Sequence, residues 1–173
     1  MPALRILLLL ALFFAAVACD AGPDAVPDPD PQYGTSSAAA EGAVSTRYEG
    51  GTAFFHEVDG QFLLTLLSGP PHDLGPDHQG LLFGAATRPG VGTHGLDDGG
   101  TDGGDLVTVT YQEREGGLQV LTLLSEQGQL TVTSSTATEI RGTFWLSGPA
   151  FDGALQPIGG LLVRGAFTAP RLG

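Results

Sequence analysis

From about Arg47 onward the chain alternates short apolar, β-branched and aromatic runs with turns bearing glycine, proline and aspartate, and little of it follows the 3.6-residue period of helices. That is the pattern of an all-β domain. Strands are predicted near Tyr48 to Val58, Gln61 to Ser68, Gly80 to Thr87, Asp105 to Arg114, Leu118 to Ser125, Gln129 to Ser134, Glu139 to Ser147 and Gly160 to Thr168. About eight strands at this spacing suit a single antiparallel β-sandwich, with a barrel as the second arrangement. Alternation is clearest from Leu106 to Tyr111, where Val107, Val109 and Tyr111 share one face and threonines the other. Leu130 and Val132 repeat it against Thr131 and Thr133. Leu118 to Leu124 is apolar on both faces for most of its length, as a strand covered twice requires. Glu115-Gly116-Gly117 and Glu126-Gln127-Gly128 offer glycines for tight hairpins, so Leu106 to Thr133 reads as a three-stranded meander.

Near the end the pattern echoes itself. Ile140-Arg141-Gly142-Thr143-Phe144 and Val163-Arg164-Gly165-Ala166-Phe167 each place an apolar residue, a glycine and a phenylalanine on one face and an arginine on the other. If the two strands pair antiparallel with Phe144 opposite Gly165 and Gly142 opposite Phe167, each ring covers a glycine and pins the register. Trp145, the chain's one tryptophan, faces away from Phe144 and shares a side with Arg141 and Thr143. It is either an exposed anchor for a sugar or protein partner or a ring covered by a loop such as Pro149 to Pro157.

The beginning of the chain has a different pattern. Arg5, an apolar run from Ile6 to Val17 and small residues up to Cys19 describe a secretory signal peptide, too short to span a bilayer comfortably. The chain's only cysteine directly follows Ala16-Val17-Ala18, which resembles the lipobox of bacterial lipoproteins and implies lipidation of Cys19. Acyl chains there, at about 0.8 kcal/mol per buried CH₂, would anchor the protein to a membrane. Ala16-Val17-Ala18 also satisfies an ordinary cleavage site, which would leave a free thiol instead. Asp20 resembles an inner-membrane retention signal of some Gram-negative bacteria, and which membrane holds the anchor stays open. The domain plan is therefore a leader over 1–18, an unfolded tether rich in Pro, Asp, Gly and Ala over 19–46, and a β domain over 47–173.

Charge narrows the partners. Seven arginines and no lysine stand against nineteen acids, a net charge of −12, which repels nucleic acid and anionic headgroups. Gly128 to Ser134, Ile140 to Phe144 and Val163 to Phe167, behind a Gly-bearing tether, resemble the uncharacterised β-rich lipoproteins common in Bacteroidota-type bacteria. The resemblance covers the last third of the chain in detail and implies an anchor and a fold, but no activity. It leaves an envelope protein or a glycan as the expected partner.

Candidate chemistry is sparse. Asp97, Asp98, Asp102 and Asp105 lie among glycines and could supply oxygens to Ca²⁺, though their spacing matches no EF-hand, and a solvated acidic loop is the simpler reading. His72-Asp73, Asp77-His78 and His94 fit no metalloenzyme spacing, and His56 falls within a strand pattern. No Gly-x-Ser-x-Gly elbow marks Ser68 as a nucleophile, and no pair of acids stands out as a glycosidase pair. The expectation is a non-catalytic binding or structural module that needs no cofactor. A calcium-stabilised adhesion or glycan-binding module is the first alternative and an envelope hydrolase the second.

Overall fold

The computed structural model describes residues 33–71, 78–95, 108–115 and 118–173. Among them run ten strands: β1 (Gly34–Gly42), β2 (Thr46–Val58), β3 (Gln61–Leu67), β4 (His78–Ala85), β5 (Gly92–Gly95), β6 (Thr108–Glu115), β7 (Leu118–Leu124), β8 (Gln127–Ser135), β9 (Glu139–Asp152) and β10 (Pro157–Pro170). They pair antiparallel in one sheet of order β10-β1-β2-β3-β4-β6-β7-β9-β8-β5, and β9 also pairs with β10. The all-β, sandwich-like class is thus what forms, with the sheet folded over on itself around one core. The seam where β7 meets β9 is short, from Leu121 opposite Asp152 to Leu123 opposite Ala150, so the sheet is curled rather than evenly closed as a barrel is.

Two expectations are corrected. The tether does not reach Thr46, because Gly34–Gly42 is β1, inserted between β10 and β2 along its length. Small side chains explain both its role and its concealment. Ser36, Ala38 and Ala40 are buried on the core face, where larger residues would have to displace close-packed neighbours. The Ser36 hydroxyl lies within donating distance of two backbone carbonyls, Thr52 at 3.0 Å and Leu67 at 3.1 Å, tying β1 to β2 and to the end of β3. The second correction concerns Glu126-Gln127-Gly128, which is not a hairpin turn. β7 and β8 follow each other along the same partner β9, and the Glu126 amide donates to the Ser147 carbonyl at 3.0 Å, bridging the break. The meander therefore stops at β6 and β7, which pair with Glu115 opposite Leu118. The turn from β2 to β3 does use the short hairpin chemistry, with Asp59 at φ 52° and Gly60 at φ 80°.

The core is one face of the curled sheet. Phe55, Phe62, Leu64, Leu66, Phe83, Leu123, Leu130, Ile140, Leu146 and Val163 are fully or almost fully buried there. Phe83 and Phe144 meet edge to face with centroids 5.3 Å apart, and Phe55 and Phe62 lie 5.4 Å apart. Leu121, Thr122 and Leu123 are buried in succession, so this part of β7 is covered on both faces, as its two-sided apolar pattern requires. The echo in the last two strands resolves as the pattern predicts, with Phe144 opposite Gly165 and Phe167 opposite Gly142. Both glycines are needed. A Cβ on Gly165 would stand 2.6 Å from the Phe144 ring, and one on Gly142 would stand 3.1 Å from the Phe167 ring and against the Thr131 carbonyl.

Candidate functional site

Trp145 sits in the middle of β9, where burial alternates strictly from Ile140 to Leu146. Phe144 and Leu146 point into the core, so Trp145 must point outward, and it is 39 % exposed. The covering loop does not form, because Pro149, Ala150 and Phe151 run on as part of β9 and pair with β10. Arg141 and Thr143 share this outer face and are exposed, as the alternation requires.

The register names the true neighbours of the ring. Arg164 on β10 lies directly opposite Trp145 on one side and Gln129 on β8 on the other. Arg141 is four positions along the strand, about 13 Å away, and stands opposite Thr168 instead. Carrying the register outward gives one row across six strands: Gly95, Gln129, Trp145, Arg164, Ala39 and Arg47. The next row toward Arg141 is hydroxylated, with Thr93, Thr131 and Thr143 in line. The arginines of this face are paired: Arg164 with Glu41 at 2.7 Å, Arg47 with Glu49, and Arg141 with Glu139 at 2.5 Å. Its hydrogen bond to Glu139 raises Arg141 further above its ordinary range. The paired charges leave the face close to neutral, although the chain as a whole is strongly acidic.

A second polar group closes one end of the core. Arg88, between β4 and β5, donates Nε and Nη2 to the two carboxylate oxygens of Glu57 at 3.0 and 2.7 Å, and Nη1 to the Thr136 carbonyl. Its guanidinium also lies 5.1 Å from the centre of the Phe55 ring. Arg171 approaches Glu57 at 3.2 Å, and Ser135 donates to the carbonyl of the buried Pro89 at 2.9 Å. The hydrogen bond from Arg88, with the charges of Arg88 and Arg171, holds the Glu57 carboxyl below its usual range. This clasp joins the end of β2, the segment after β4, the turn before β9 and the chain's last residues. Nothing in the sequence announces it, since Glu57 and Arg88 are 31 positions apart.

The remaining candidates separate. His56 lies half-buried on the outer face of β2 with its ring edge-on to Phe54 at 5.3 Å, and burial pushes its pKa down. His78 opens β4, while His94 in β5 has a ring nitrogen 2.8 Å from the Gly90 carbonyl. His72, Asp73 and Asp77 lie outside the described residues, as do Cys19 and the acidic set Asp97, Asp98, Asp102 and Asp105. Among the described residues no three His, Cys, Asp or Glu side chains gather as metal ligands would. No family model matches the chain, and no curated protein or solved structure is significantly similar to it.

Proposed function

We propose that the protein is a lipid-anchored component of the bacterial cell envelope, held by acyl chains on Cys19, and that its β domain is a non-catalytic binding module presenting the Trp145 face. The observation that carries the second half of this reading is the exposure of Trp145 at mid-strand. A folding chain gains free energy by burying such a ring, so the part of it left exposed at mid-strand on a rigid sheet is available to a partner. The leader, the small residues before Cys19 and the likeness to β-rich envelope lipoproteins support the anchor. An envelope protein and a glycan are the two partner classes compatible with an acidic chain that repels nucleic acid.

Each half has its own test. A Cys19→Ser variant grown with labelled palmitate should lose the label and leave the membrane fraction, and undiminished labelling ends the anchor reading. A photo-reactive residue at position 145 should crosslink to an envelope component in living cells, while the same residue at the inward position 146 should not. Equal crosslinking from both positions ends the module reading.

A further inference from the structure

We infer that the row through Trp145 is a track for a neutral polysaccharide chain, laid across the strands. This deepens the binding role proposed above and rests on it. Strand spacing of about 4.8 Å makes the six-strand row from Gly95 to Arg47 roughly 24 Å long, room for several sugar rings in line. Its side chains suit pyranose rings. A sugar presents a face of C–H groups that stacks on a flat aromatic surface, and hydroxyls at its rim that seek planar, fixed donors and acceptors. Trp145 supplies the first, with the Arg164 guanidinium and the Gln129 amide directly beside it for the second. Gly95 keeps one end of the row low, and Ala39 leaves a low step between Arg164 and Arg47. The hydroxyls of Thr131 and Thr143 line the adjacent row on one flank.

Charge selects the ligand class. Arg164 and Arg47 each already carry a carboxylate partner, Glu41 and Glu49. An anionic polymer would have to displace those acids and approach a chain of net charge −12. A neutral glycan meets neither obstacle, and an ion-paired guanidinium keeps N–H groups free to donate. Burial of the ring against a protein partner would favour an apolar surround, which the threonines, glutamine and arginines of this face do not provide.

The test uses the full-length lipidated protein in detergent micelles, where all indole emission comes from Trp145. Hexasaccharides of β-1,4-linked glucose, β-1,4-linked N-acetylglucosamine and α-1,4-linked glucose are titrated against it, with hexagalacturonate as the anionic comparison. At least one neutral hexamer should change the emission saturably, and hexagalacturonate should bind about tenfold more weakly or not at all. Arg164→Gln and Gln129→Ala should each weaken the neutral ligand by about tenfold at an unchanged melting temperature, while Val58→Ser, outside the row, should not. Calorimetry on Trp145→Ala should show the binding lost. Hexagalacturonate binding as tightly as any neutral hexamer overturns the inference, as does an unchanged emission across the neutral set. If emission is unchanged and position 145 still crosslinks to an envelope protein, the track is refuted and the binding module stands. If neither occurs, both fall.

Discussion

Phe144 and Phe167 each fill the space that a missing side chain leaves on the opposite strand, and this exchange fixes the register of the last two strands. Gly165→Ala forces a carbon against the Phe144 ring and the Ser37 carbonyl, and should cost about 1–3 kcal/mol in urea unfolding. Phe144→Ala removes a ring packed on Phe83 and should cost about 3–5 kcal/mol. The outward Thr143→Ala should change stability by less than about 0.5 kcal/mol. A Gly165→Ala protein as stable as the parent would refute the ring-over-glycine account. This arrangement was legible in the sequence because the apolar-Arg-Gly-x-Phe echo leaves one antiparallel register in which both rings meet glycines. The same echo encodes the Arg164 neighbour of Trp145: with Phe144 opposite Gly165 in antiparallel strands, the residue after Phe144 must face the residue before Gly165. Arg141 is nearer in sequence but lies along the strand, whereas neighbours across a sheet are set by register.

Among the elements, strands with apolar alternation declared themselves and those without it did not. β1 reads Gly-Thr-Ser-Ser-Ala-Ala-Ala-Glu-Gly, and the lack of large side chains that makes it resemble linker also lets it lie close against the packed core. β5, Gly-Thr-His-Gly, is a four-residue edge with nothing to bury. The kink at Ser125 and Glu126 carries turn residues, yet β9 is long enough to serve β7 and β8 in succession, so the chain bends without reversing. A fragment beginning at Arg47 would leave facing edges of β2 and β10 unpaired and the core open over Ala53 and Val163. It should be insoluble or lack a cooperative melt, whereas a fragment beginning at Gln32 should unfold in one transition. Matching cooperative melts by circular dichroism for the two fragments would show that β1 is dispensable.

For the molecule as a whole, two shifted groups make stability depend on pH with the same sign. Burial holds the pKa of His56 in the folded chain below its ordinary 6.5, so its contribution is complete above that value and declines as pH falls through the lower folded value. Arg88 holds Glu57 below its ordinary 4.5, so this contribution is present above 4.5 and is lost as pH falls through the folded pKa. Acidification also brings the chain toward its pI of about 4.3, easing repulsion among the acids, so differences between variants are the informative measure. Urea midpoints from pH 8 to 3 should lose the decline that begins below about pH 6.5 in His56→Gln, and in Arg88→Gln should lose the step below about pH 4.5. Parallel curves for parent and Arg88→Gln would show that the clasp does not govern the acid step. The insertion of β1 has a mechanical meaning as well. On the lipid-anchored reading, a pull between membrane and bound ligand enters where Tyr33 leads into β1. The component of that pull along the strand would load the hydrogen bonds to β10 from Thr35 to Gly42 together in shear, rather than open them one after another as a zipper does. On that reading, the domain would carry tension between a moving envelope and a fixed ligand without its first strand peeling away.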